Sequence, residues 1–105
     1  MEIEEFRAGL LRELNAIDSK YAGLIKNKNN LLMCAVELNQ LIDKIWKYNF
    51  LFSEDKEEIL RIAREIYNIY GMNNTDCILE ALKMSYNSIF KLIDGLEEKY
   101  AHSLK

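Results

Sequence analysis

The sequence predicts an all-α protein: an antiparallel bundle of three or four long helices, packed in the manner of a coiled coil and self-associating. Three observations carry that expectation. Proline is absent and the 105 residues hold only four glycines, Gly9, Gly23, Gly71 and Gly95, whereas a β-rich chain needs turn residues about every 8–12 positions. Half of the residues are hydrophobic and 30% are charged, the balance of a folded chain rather than a disordered one. Apolar residues also return at a fixed interval of seven. At this length a single domain over residues 1–105, with one core, is expected.

The repeat is clearest in the first half. Ile3, Leu10, Ile17, Leu24, Leu31, Leu38, Ile45 and Phe52 stand seven apart, and all are apolar. Their companions are Arg7, Leu14, Tyr21, Lys28, Ala35, Ile42 and Asn49. Two apolar positions in seven hold one stripe toward a neighbour, because 3.5 residues per turn lies close to the helical 3.6. Phe6, Leu11, Ile25, Cys34, Leu41 and Tyr48 widen the stripe, which suits a helix with more than one neighbour.

The run Lys26-Asn27-Lys28-Asn29-Asn30 interrupts this half. Asparagine competes for backbone hydrogen bonds inside a helix and caps one well. The expectation is therefore two helices, near 2–27 and 30–52, joined around 27–30. The unbroken phase of the repeat argues for one continuous helix of about 75 Å instead, which would demand a second chain to cover it.

Ser53, followed by Glu54 and Asp55, marks a helix start, with a capping hydroxyl and then acids where the helix dipole is positive. That helix is expected over 54–70, with Gly71 closing it in a left-handed conformation. Asn74 or Thr75 caps the last helix, near 75–101, whose stripe is expected at Leu79, Leu82, Tyr86, Ile89, Ile93, Leu96 and Tyr100. Gly95 inside it costs about 1 kcal/mol relative to alanine.

Recognisable chemistry is sparse, and no enzyme, cofactor or metal site is expected. Di-iron bundles need two Glu-x-x-His motifs, but the only histidine is His102, whose pairing with Glu98 one turn away reads as a solvated surface contact. None of the serines stands in a Gly-x-Ser-x-Gly turn, and no glycine-rich phosphate loop occurs. Cys34 and Cys77 sit among apolar residues and are expected to be buried free thiols. The start of the chain has no charged-then-apolar leader, and the longest apolar run, Leu31 to Val36, is too short to span a bilayer. A cytoplasmic protein without a membrane role is the expectation.

What remains is surface recognition. In Ile45-Trp46-Lys47-Tyr48-Asn49-Phe50-Leu51-Phe52, large groups are spread around a helix, more than one neighbour can cover. Aromatic anchors dominate helical interfaces, so Trp46, Tyr48, Phe50 and Phe52 are the candidate partner-binding residues of an adaptor, inhibitor, chaperone-like factor or small subunit. The partner is expected to be another helical protein or a second copy, as a homodimer. The alternative is a nucleic-acid accessory role for Lys26, Lys28, Lys44 and Lys47, since residues 20–52 carry five lysines against Glu37 and Asp43. With a net charge of −3 the chain lacks the strong basic footprint of such proteins.

Overall fold

The computed structural model describes residues 3–21, 27–48 and 53–103. They form four helices, α1 (Ile3–Tyr21), α2 (Lys28–Trp46), α3 (Ser53–Ile69) and α4 (Thr75–Ser103), with no strand among the described residues. The helices run antiparallel in succession. Lys20 pairs with Glu37 and Glu13 with Lys44 across α1 and α2, while Arg7 near the start of α1 reaches Asp94 late in α4 at 2.6 Å. Neighbours in sequence pack together, α4 returns to α1, and α2 also touches α4, whereas α1 and α3 do not meet. The cross-section is therefore a flattened rhombus, and the molecule measures 47 × 24 × 17 Å.

Each helix brings one stripe to a common core. Leu10 and Leu14 of α1, Leu38 and Ile45 of α2, Ile59, Ile62, Ile66 and Ile69 of α3, and Ile78, Ile89, Ile93 and Leu96 of α4 are all less than 2% exposed. Burying each stabilises the fold by roughly 1.5–3 kcal/mol before chain entropy is counted. Small residues lie fully inside at Ala35 of α2 and Ser85 of α4, which suits the close approach of these two helices across the short diagonal. Lys28, a polar member of the repeat, sits half-buried at the core edge and donates to Asn73 Oδ1.

The Asn-rich run is a break, not part of a continuous helix. Asn27 has extended backbone (φ −105°, ψ 117°), and its side-chain oxygen accepts from the N–H groups of Asn29 and Asn30. The cap thus lies three residues before the expected start at residue 30, because the first asparagine of the run takes the capping role and the others enter the first turn. Leu10, Ile17, Leu31, Leu38 and Ile45 are nonetheless all buried. Every helix must aim its own stripe at the core, so an unbroken count of seven across a hairpin carries no information about continuity.

Four further expectations are corrected. Helix α2 ends at Trp46 rather than near 52, with Lys47 N–H bonded to the Asp43 carbonyl and Tyr48 N–H to that of Ile45. Among the described residues no glycine has a positive φ, so Gly71 does not close α3 in a left-handed conformation. Three successive bonds, Tyr70 to Tyr67, Gly71 to Asn68 and Met72 to Ile69, tighten the last turn and satisfy its carbonyls instead. The α4 stripe runs through Ile78, Leu82, Ser85, Ile89, Ile93 and Leu96, leaving Leu79 and Tyr86 half-buried at its flank. Cys77 lies off that stripe and is exposed, while Cys34 is buried.

A candidate protein-binding face on α2 and α3

The helices α2 and α3 lie side by side with Trp46 near the start of α3, where the Lys56 ammonium stands 5.7 Å from the centre of its indole. Between them runs a shallow outer groove of about 450 Å³, lined by residues that include Asn39, Asp43 and Trp46 of α2 and Leu60 and Ala63 of α3. Helical spacing continues this face beyond the groove. Val36 lies one turn before Asn39 and Gln40, and Tyr67 two turns after Leu60. Tyr67 packs edge-on against Tyr70, with ring centres 6.0 Å apart.

This face is unusually apolar for one turned to solvent. Of the eight large hydrophobic side chains exposed among the described residues, five belong to α2 and α3, Met33, Val36, Trp46, Leu60 and Tyr67, and Tyr70 follows directly on the end of α3; they are between 38% and 74% exposed. Met84 and Phe90 of α4 are the other two. Single exposed apolar groups are ordinary, whereas a contiguous set marks an interaction surface. Charge is also depleted along the first half of α2. From Asn29 to Gln40 the only charged residue of α2 is Glu37, and its carboxylate turns away to Lys20 of α1, 3.3 Å distant. By contrast, the outer side of α1 exposes Glu4, Glu5, Arg12, Glu13, Asp18 and Lys20.

The aromatic residues singled out in the sequence have different fates. Trp46 lies on this face and is 39% exposed. Tyr48 is spent inside the molecule: its ring stacks on Phe6 of α1 with centres 3.9 Å apart and planes within 7°, tying the end of α2 to the start of α1. Phe50 and Phe52 lie outside the described residues. Leu60, Tyr67 and Tyr70 are further surface anchors, which apolar character alone does not separate from the core residues of α3. The signal was available, since Ile59, Ile62, Ile66 and Ile69 already complete that stripe and leave Leu60 and Tyr67 facing elsewhere.

The lysines of the basic segment are engaged with neighbours. Lys44 pairs with Glu13, Lys47 with Asp43 four residues earlier at 2.9 Å, and Lys28 with Asn73. Lys26 lies outside the described residues. No group of three or more histidine, cysteine or acidic side chains able to hold a metal occurs among the described residues, and none of the described helices is long and apolar enough to cross a membrane. Burial pushes the Cys34 thiol up to about 11, with the negative charges of Glu37 and Asp18 adding to the shift. At the mouth between α1 and α2, the Tyr21 hydroxyl and Glu37 Oε2 are buried without a hydrogen-bond partner. Glu37 beside it holds the phenol's pKa above its ordinary value, and burial adds to the shift. On α3, Arg61 pairs with Glu58 and Glu65, and its guanidinium holds the Glu58 carboxyl below its ordinary pKa.

The fold and this face define a class, a small four-helix antiparallel bundle with one apolar outer side. Compared with known proteins, the chain matches no family model, no curated protein and no solved structure.

Proposed function

We propose that this chain is a non-enzymatic protein–protein interaction module, acting as an adaptor, inhibitor, chaperone-like factor or small subunit of an assembly. Its outer α2/α3 face takes hold of an apolar helical surface on another polypeptide. One observation carries the reading: most of the large apolar groups left in water gather on this single face. Side chains of this type bury much area while fixing few torsions, which is why they dominate interface energetics. Trp46, Leu60 and Tyr67 are the anchors, with Val36 and Tyr70 beside them.

The test is affinity capture from the native cell with identification of the retained chains, using the wild type and four variants. Leu60→Asp and Tyr67→Asp alter the face; Arg12→Asp and Lys83→Glu alter the outer sides of α1 and α4. The reading expects the wild type and the latter two to retain a defined polypeptide set at about 0.5 M salt, where Coulombic contacts are screened within about 3–4 Å. Leu60→Asp and Tyr67→Asp should lose it. If all four variants retain the same set as the wild type, the face is not the binding surface. Retention of nucleic acid that falls away steeply with salt would favour the lysine-based role instead.

A further inference from the structure

We infer that the occupant of the α2/α3 face is a second copy of this chain, seated by a two-fold axis that runs along the groove. The inference rests on reading this face as the binding surface, and adds what fills it.

Size is the first argument. At 1.5 Å per residue, α2 with 19 residues and α3 with 17 present a face about 25–28 Å long. Two helices about 10 Å apart make that face roughly 20 Å wide, giving on the order of 500 Å² in projection and more once side-chain relief is included. A stable dimer of standard size uses about 800 Å² of accessible surface from each partner. The face is of the right extent to pack on its own copy, and larger than a single short peptide requires.

Charge is the second argument. A two-fold contact brings a surface onto itself, so a patch of one sign repels its own copy. This face has no such patch. At the Met33/Tyr70 end its exposed residues are uncharged. Toward the Trp46 end α2 carries Asp43 and Lys47, with Lys44 turned to Glu13 of α1, and the exposed charges of α3 are Lys56, Glu57 and Arg64, with Arg61 held by Glu58 and Glu65, so both signs stand on each helix. An axis along the groove lays α2 of one copy on α3 of the other, antiparallel to it. The uncharged ends then meet each other. At the opposite end Asp43 comes within one helical turn of the second copy's Lys56, and Lys47 within one turn of its Glu57. The same pairing sets Val36 against Tyr67, and it leaves the small Ala63 and the self-complementary carboxamide of Asn39 near the axis, where close approach is needed.

Sedimentation equilibrium of the purified chain tests this. The wild type is expected at twice 12.4 kDa by about 100 μM, a concentration well above a micromolar dissociation constant. Val36→Asp and Tyr67→Asp change exposed residues, so each should keep its helical circular dichroism while weakening the dimer by roughly 30-fold or more. Asp43→Lys and Lys56→Asp should each weaken it by placing like charges together, and the two combined should restore it. A wild type that stays monomeric at this concentration, a dimer indifferent to Val36→Asp and Tyr67→Asp, or a charge exchange that fails to restore association would each overturn the inference. A monomer that still captures another protein through this face would sink the second copy alone and leave the proposed function standing. Loss of face-dependent capture of any chain, itself included, would sink both.

Discussion

Replacing Asn27 by alanine strips the acceptor from two backbone N–H groups at the start of α2. In the native chain the Asn27 side-chain oxygen takes Asn29 N at 2.9 Å and Asn30 N at 3.3 Å. Removing such a cap costs about 0.5–2 kcal/mol, typically about 1. The exposed start of α2 lets water take up part of the loss, so the middle of that range is expected. For a chain of this size, about 1 kcal/mol lowers the melting temperature by roughly 4–8 °C. Asn27→Asp keeps the acceptor and adds a negative charge at the positive end of the helix dipole, worth about 0.3–1 kcal/mol, and should melt at or above the wild type. The assay is thermal denaturation followed by circular dichroism at 222 nm, with protein concentration held constant because self-association would move the midpoint by mass action. An alanine variant that melts with the wild type would refute the reasoning, as would an aspartate variant that melts as low as the alanine one. Either result would mean that α2 does not depend on a start at Asn27, and that the hairpin between α1 and α2 is held by something else.

Other consequences follow from burial. Ile45 is fully enclosed, so Ile45→Asp sets an unpaired carboxylate in the core and should cost about 4 kcal/mol or more, enough to abolish the cooperative melt. Within one chain Lys47→Ala loses an exposed ion pair with Asp43, worth about 0.3–0.5 kcal/mol, and at concentrations where the chain is monomeric it should leave the melt almost unchanged. The folded chain raises the Cys34 thiol from 9.0 to about 11. The unfolded chain therefore releases this proton first, and stability present below pH 9 should decline by about 1–3 kcal/mol between pH 9 and pH 11. Urea titrations across that window should show the decline in the wild type and a shallower one in Cys34→Ala. A Cβ added at Gly95 meets nothing within 4 Å, so Gly95→Ala should raise stability by roughly 0.5–1 kcal/mol, and a lower melting temperature would contradict an open helical site there.

Much of the architecture was legible because burial and helical periodicity are the same fact seen twice. Leu10, Ile17, Leu31, Leu38 and Ile45 had to face a neighbour, and they do. Helix ends were less legible, because capping is decided by competition among similar residues. Any asparagine from 27 to 30 could have served, and the choice of Asn27 depends on where the chain leaves α1. Gly71 misled for a related reason: a glycine permits a left-handed turn without requiring one, and a run of tightened turns made it unnecessary. Ser85 was missed because a serine reads as surface in a one-dimensional pattern, although seven-residue steps from Ile78 pass through it.

The candidate face was the least legible part, and the reason is geometric. A sequence shows which residues are apolar; it does not show how many a given core has room for. In α3, Ile59, Ile62, Ile66 and Ile69 fill the inward side, so Leu60 and Tyr67 are a surplus that becomes visible only when the neighbouring helices are in place. Tyr48 shows the converse. As one of a run of aromatic residues it looked like an anchor, yet Phe6 of α1 lies against its ring and uses most of what it could offer a partner. Trp46, two residues earlier, stays 39% exposed, with the Lys56 ammonium 5.7 Å from the centre of its ring, and a long flexible side chain of that kind is easily displaced. Exposure after folding, rather than apolar character before it, is what separates an anchor from a core residue. By that measure the weight of recognition moves from the end of α2 to the middle of α3, and Tyr67, at 74% the most exposed of the large apolar groups, is where a single aspartate should do the greatest damage to binding and the least to the fold.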